Sequence, residues 1–570
     1  MEAVKRAALK HALINAAKHG GRAETSAVVS KVLGEVAEAR KLAREVVKVV
    51  DEIVKEVNKL SLDEQLNLLR KEFPEVVLEE RREAERGLPP LPNAEKGKVV
   101  TRFAPNPDFA IHLGNARPAL LSYWYAEMYD GKMILRFEDT DPRIKAPYPE
   151  AYEQIREDLR WLGIKWHEEY VDSLRMEIYY GVARELVERG GAYVDRCSVE
   201  EFRKYRAEGR ACPHRELPRE RQLEELDKML EGHYGEGEAV LRVKTDLTHK
   251  DPSVRDWVAL RIIDTGRTPH PVTGDKYHVW PTYNFAVAVD DHLMGITHVL
   301  RAKEHVSNTV KQKYVYDHMG WGYPTTIHFG RLSLEGFILS KSKMRSLMSE
   351  KGVSSFDDPR FGTIAGLRRR GIVPETIHRI VKEVGVKPTD AKISWANVSA
   401  VNRTIVDPKA PRYMAVEKPV ALRLTGFDEE IEAAIPRSFA EARRHTYRLR
   451  PGDVVFVSKK DVEGAGSTPL RLLGLGNFVV ERESATARLV GLDQEEARKA
   501  GMQIVQWVPK AHAVSSIMIV PKGLALIRKR LLVEDSLATE RAGQIVQLYR
   551  LGFAVVDSPG RRPLLIFAHE

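Results

Sequence analysis

The chain predicts a Rossmann-like α/β domain preceded by an N-terminal helical region and followed by a helical stretch and a C-terminal all-β barrel region. Three observations predict it. Lys98–Phe103 reads as a strand, about Leu113 to Met128 as a helix, and Met133–Phe137 as a second strand, the βαβ unit of a nucleotide-binding sheet. Val36, Ala39, Ala43, Val46, Val50, Ile53, Val57 and Leu60 recur three and four apart, one apolar stripe on a helix. Beyond about residue 416, short β-prone runs are divided by Gly, Pro and Asp, a spacing that predicts one barrel or a pair.

Taken in order, residues 1–95 form the helical extension, with charged residues on the faces away from the stripe and a packed hairpin as the expected form. Gly87–Pro92 carries three prolines and ends it. Residues 96–190 hold the first half of the sheet domain, whose second strand runs into the acidic Glu138–Asp141. The polar, irregular 191–255 reads as an insertion carrying both cysteines. Residues 256–345 resume the sheet, with strands expected at Phe285–Val289 and Ile296–Leu300. Helices are expected over 346–415, and the barrel region over 416–570 includes strands near Asp453–Val457, Gln503–Val508, Ile517–Val520 and Ile545–Leu548.

Composition narrows the classes. At 570 residues the chain exceeds a single core. No window approaches eighteen uncharged apolar residues, so no membrane association is expected. The N-terminus lacks an apolar signal core, and two cysteines exclude a disulfide framework, so a cytoplasmic protein is expected. A net charge of +9 favours a polyanionic partner, because Lys and Arg displace counterions from phosphates.

The chemistry lies in separated segments. Pro105 and Pro107 hold the chain extended after the first strand. His112 precedes a helix whose first amides and positive dipole end attract phosphate, and Gly114 permits close approach of an adenine ring. Far downstream, Ser340-Lys341-Ser342 offers a flexible cation. Each has a plainer reading when taken alone: a helix-capping histidine and a solvated basic loop.

Together, Arg102–Pro107 with His112–Asn115, and Ile338–Ser342, resemble the HIGH and KMSKS motifs of class I aminoacyl-tRNA synthetases. The strings around them narrow the resemblance to the archaeal form of the glutamyl and glutaminyl branch, strongly over 96–415 and moderately over 416–570. Four positions depart from the pattern: Asn115 replaces its last His, Phe109-Ala110 a Gly-Tyr, and Ile338 the first Lys.

The resemblance implies a class I catalytic domain, an acceptor-binding insertion at 191–255, a helical stem-contact region at 346–415 and an anticodon-binding barrel at 416–570. It implies ATP and Mg²⁺, with ATP contacted by Pro105, His112, Gly114, Asn115, Ser340, Lys341 and Ser342. His112, Asn115 and Lys341 are then the residues that stabilise charge during adenylate formation. L-glutamate falls to Arg102 and Arg301 at its distal carboxylate, Glu138 at its ammonium group, and Tyr283 and Asn106 as further contacts, with Glu304 and His305 behind them. A guanidinium suits a carboxylate because it can offer two parallel hydrogen bonds. The plainer reading of Arg301 is an ion pair with Asp290 or Asp291.

Glutaminyl enzymes generally lack the second arginine and carry Asp-Asp-Thr-Asn at Glu138–Asp141, so glutamate is preferred. The expected partner is tRNA-Glu, charged by a monomer, with tRNA-Gln left open as a second acceptor. The rival readings are a glutaminyl enzyme, a small-molecule nucleotidyltransferase and a catalytically dead RNA-binding paralogue. Cys197, Cys212 and His214 resemble a damaged zinc set in which Asp195 replaces a cysteine; structural Zn²⁺ is the lesser expectation, ordinary residues of the insertion the greater.

Overall fold

The computed structural model describes residues 2–18, 21–36, 42–73, 87–350, 355–438, 444–466 and 468–570. The chain divides into two compact units, Met1–Pro89 and Pro90–Glu570.

The first unit holds four described helices, α1 (Glu2–Lys18), α2 (Thr25–Glu35), α3 (Ala43–Val57) and α4 (Leu62–Glu72), rather than a hairpin. The continuous stripe is corrected too. Val36 caps α2 with extended backbone (φ −104°, ψ 101°), Ala39 lies outside the described residues, and Leu60 falls beyond α3. The spacing survives the break because α2 and α3 turn their apolar faces to one core: Val28 and Val32 bury with Val46, Val50, Val54 and Val57 against Ala8 and Ala12.

The second unit opens with β1 (Val100–Phe103), α5 (Leu113–Met128), β2 (Lys132–Phe137), α6 (Pro149–Trp161), β3 (Glu168–Val171) and α7 (Met176–Glu188). The pairs β1–β2 and β2–β3 are parallel, so the βαβ unit stands as read. An antiparallel sheet follows, β4 (Ala192–Asp195), β5 (Val240–Val243), β6 (Val258–Ile262) and β7 (Val279–Pro281), with α8 (Val199–Glu208) and α9 (Arg219–Leu230) between its first two strands.

Then come α10 (Tyr283–Leu293), β8 (His298–Ala302), α11 (Val306–Met319), β9 (Thr325–Phe329), β10 (Leu332–Leu334) and α12 (Lys341–Glu350). β8 pairs with β9 in parallel, and Thr297 ties its start to β1: its N–H donates to the Val100 carbonyl and its hydroxyl accepts from the Val100 N–H. Phe285–Val289 is therefore helix, not strand. The run is buried on every face, and a fully buried apolar segment carries no period to separate the two.

Three helices, Ile364–Arg369, Pro374–Val384 and Trp395–Val406, occupy the next stretch, interrupted by the strand Ala391–Ile393 alongside β10. Two seven-stranded sheets and an antiparallel pair, Ile431–Pro436 with Arg444–Leu449, complete the described chain. The end strands of the first, Arg412–Tyr413 and Ala415–Glu417, are separated only by Met414. Those of the second, Ile504–Val505 and Trp507–Pro509, are separated only by Gln506. A sheet whose first and last strands are consecutive in the chain must curl on itself, which makes both barrel-like and leaves few free edges. Gln506 also accepts the Ala415 N–H through its side chain at 3.1 Å, joining the two corners.

Candidate active site

A cleft of about 590 Å³ opens at the carboxyl ends of β1, β2 and β8, the usual place for ligands in an open parallel sheet. Of the residues expected to act, it is lined by Arg102, Pro105, Asn106, His112, Gly114, Asn115, Glu138, Tyr283 and Arg301, with Glu304 and His305. Ser340, Lys341 and Ser342 do not line it, and Cys197, Cys212 and His214 form a separate cluster.

His112 is the N-cap of α5, and its Nδ1 accepts the Gly114 N–H at 3.0 Å. That acceptor role leaves the imidazole proton on Nε2, a donor. The Asn115 side-chain oxygen accepts the His112 N–H at 3.2 Å, which closes a reciprocal cap and leaves the amide nitrogen able to donate. Burial, reinforced by the nearby Lys341 charge, pushes the imidazole down to about 4, so it is neutral at physiological pH. Within the fold itself Gly114 is also required sterically: an added Cβ would stand 2.8 Å from His112 Cε1 and 3.0 Å from the Leu332 carbonyl.

Lys341 begins α12 and is held away from the cleft by an ion pair with Asp108, and its Nζ donates to the Asn106 carbonyl at 3.4 Å. The two motif loops are stitched together by a segment the sequence reading passed over. The Gly362 N–H donates to the Ile338 carbonyl, the Gly362 carbonyl accepts from the Leu113 N–H, and the Ile364 N–H donates to the Ile111 carbonyl. A Cβ on Gly362 would lie 2.3 Å from a Leu339 methyl carbon. The only local sign of this role is the pair of small residues Gly362-Thr363 amid bulkier ones.

Arg102 spends one edge on Asp291, Nε to Oδ1 at 3.1 Å and Nη2 to Oδ2 at 3.2 Å. Arg136, fully buried on β2, donates to Asp291 at 2.8 Å and to Glu138 at 3.1 Å. Both arginines hold the Asp291 carboxyl below the usual carboxylate range against the upward push of burial. Burial dominates at Glu138 and raises it. The sequence reading missed Asp291 and Arg136 as parts of the site; two adjacent acids ending an apolar run were the available signal.

Arg301 pairs with neither Asp290 nor Asp291. Asp290 accepts from Arg175 at 2.9 Å and from the Tyr179 hydroxyl at 2.6 Å. The Arg301 Nη2 instead donates to Thr309, Gln312 and Tyr323 at 2.5, 3.0 and 3.1 Å. Its buried Nε and Nη1 have no hydrogen-bond partner among the described residues. Tyr283 opens α10, with its hydroxyl 3.5 Å from His305 Nδ1 and raised by burial to about 12.

In the insertion, ligand atoms of Asp195, Cys197, Cys212 and His214 all lie within 4.8 Å of one another. Asp195 Oδ1 stands 3.3 Å from His214 Nδ1 and 3.6 Å from Cys212 Sγ, while Oδ2 is engaged by Arg242 at 2.6 Å. Two sulfurs, an imidazole nitrogen and a carboxylate oxygen form a donor set that fits tetrahedral zinc.

Residues 98–408 match a family described as tRNA synthetases class I (E and Q), catalytic domain; residues 410–491 and 504–557 each match its anti-codon binding domain. A protein of Staphylothermus marinus named glutamate–tRNA ligase is 57% identical over 566 residues, covering 98% of this chain and 100% of that one. Proteins of the same name from Hyperthermus butylicus and Ignicoccus hospitalis are 54% identical over 579 residues and 53% over 576. They cover 98% and 100% of this chain and all of their own lengths.

Proposed function

Because the chain belongs to the class I tRNA synthetases of the glutamyl and glutaminyl branch, we propose that its cleft activates L-glutamate with ATP and transfers it to tRNA-Glu. The observation that carries the choice of amino acid is Arg301. A buried guanidinium held by three neutral side chains lacks a counter-charge, and an acidic substrate supplies it. The free edge of Arg102 lies in the same cleft. Glu138 takes the ammonium group, flanked by Tyr283 and Asn106.

Members of this family use ATP and Mg²⁺. In the first step a glutamate α-carboxylate oxygen attacks the α-phosphorus and pyrophosphate leaves. His112 donates from Nε2 and Asn115 from its amide to oxygens that gain charge, and Lys341 neutralises the departing pyrophosphate. Pro105 and Gly114 shape the floor, and Ser340 and Ser342 flank the lysine at the start of α12. Mg²⁺ would supply charge neutralisation on the triphosphate beside Lys341. In the second step the 2′-hydroxyl of the terminal adenosine attacks the activated carbonyl and AMP leaves; positioning does most of the work.

The antiparallel sheet with α8 and α9 contacts the acceptor end, the helices over 364–406 the stem, and the two barrels the anticodon. Asp195, Cys197, Cys212 and His214 would hold a structural zinc that fixes the loops of the insertion. The test is steady-state charging of tRNA-Glu and tRNA-Gln transcripts with each amino acid. Glutamate on tRNA-Glu is expected to be strongly preferred, and a preference for glutamine overturns the reading. Charging of tRNA-Gln with glutamate would extend the acceptor range.

A further inference from the structure

Behind Glu138 lies a carboxylate that the reaction above leaves without work. Asp172 follows β3, lines the cleft, and is 1% exposed. Neither of its side-chain oxygens has a hydrogen-bond partner among the described residues. The nearest cation is Arg136, whose Nε stands 3.7 Å from Asp172 Oδ1 and is itself unpartnered. Its other two nitrogens are committed to Asp291 and Glu138.

The charges around this point do not balance. Arg102, Arg136 and Arg175 share the space with Glu138, Asp139, Asp172, Asp290 and Asp291. Four of those carboxylates are held by donors: Glu138 and Asp291 by arginines, Asp290 by Arg175 and Tyr179, Asp139 by the Tyr152 and Ser173 hydroxyls and a backbone N–H. Asp172 alone is not. A buried carboxylate with no donor and several acidic neighbours is the group that takes a proton.

We propose that Asp172 is a positioning residue of the ammonium subsite: its carboxyl carries a proton in the empty cleft and releases it to water as the substrate ammonium docks at Glu138. The O–H bond of Asp172 breaks, the proton leaves through the cleft, and the new carboxylate balances the incoming cation. Arg136 mediates the exchange. Once the ammonium shares the charge of Glu138, the Arg136 Nε closes its gap to the ionised Asp172 and holds the site in its loaded arrangement. The groups facing Asp172 agree in direction. Burial and then the Asp290 charge raise its carboxyl well above the ordinary value, Glu138 and Asp139 add to this, and Arg136 opposes. On the helix side, Arg175 faces it as a cation, and the Tyr179 and Tyr152 hydroxyls, raised first by burial, also face its carboxyl.

The inference rests on the placement of the ammonium at Glu138. Glutamate is titrated calorimetrically into the tRNA-bound protein between pH 6 and 9, in buffers of different ionisation enthalpy. About one proton released per glutamate is expected at the acid end, with affinity rising up to about tenfold per pH unit below the carboxyl's pKa. Glutarate, which lacks the ammonium, should bind without that release. Asp172→Asn should lose the release and bind glutamate with an affinity independent of pH, equal to the wild type's at low pH and falling behind it as the wild type's rises. A merely structural carboxylate predicts a loss independent of pH. Absence of proton release on the wild type, or equal release with glutarate, overturns the proposal whether or not the variant folds. Preference for glutamine would overturn the assigned function but not this inference, since both amino acids carry the ammonium group.

Discussion

Lys341 forms an ion pair with Asp108, 233 residues earlier in the chain, and the same carboxylate lies 3.0 Å from the Arg345 guanidinium. The cation assigned to the triphosphate is thus parked on a protein anion beside the cleft. Burial lowers the Lys341 ammonium, and the Asp108 charge offsets part of that cost.

An ammonium that must leave one anion for another is a competition, and its two ends can be cut separately. Lys341→Ala should slow adenylate formation about 10²-fold while changing tRNA affinity little. Asp108→Asn should lower the KM for ATP, because the lysine no longer has a rival partner. Pyrophosphate exchange and filter binding read these; equal effects of Lys341→Ala on both assays contradict the assignment.

Removing the Arg301 guanidinium should act on glutamate alone. Arg301→Gln is expected to raise the KM for glutamate about 10²-fold and leave the KM for ATP nearly unchanged, because a charge-assisted pair in a buried cleft is lost. Parallel rises in both constants would mean that the arginine supports the fold of the cleft.

The pH response of His112 has a definite sign. Its folded value of about 4 lies below the ordinary 6.5, so the unfolded chain binds its proton more readily. This site therefore withdraws stability as pH falls below about 6.5, and the loss is complete near 4. Adenylate formation should show no His112 break near 6.5, because the imidazole stays neutral down to about 4. A break at 6.5 that disappears in His112→Asn would contradict the capped geometry.

The cysteine cluster yields a metal prediction. Purified protein should carry about one zinc per chain, and Cys212→Ala should lose it with a fall in melting temperature. Elemental analysis of the purified protein decides this; protein free of zinc and of unchanged stability on chelation contradicts it.

Much of the scaffold was legible because its signals are local. The β1–α5–β2 unit announces itself through a strand, a proline loop and a capped helix in immediate succession. Residues 285–289 were misread as strand, since a segment buried on all sides has no polar face to mark its period. Gly114 was seen as needed, and the fold adds a steric reason that its neighbours in sequence do not show. The neighbour that forbids a side chain there is partly the His112 ring, two residues away, and partly the Leu332 carbonyl, more than two hundred residues away.

Residue types and their order along the chain were enough to identify the family through two separated motifs, and to single out a pair of arginines and an acidic run as candidates for the substrate's carboxylate and ammonium. Only the tertiary structure decided which of those groups are free to act. Arg102 is half-committed to Asp291, Arg301 is bound by neutral side chains, Lys341 rests on Asp108, and Asp172 has no donor among the described residues. The physical reason is that a charge is defined by its partners. Those partners arrive from distant strands and helices, whose meeting no local pattern encodes.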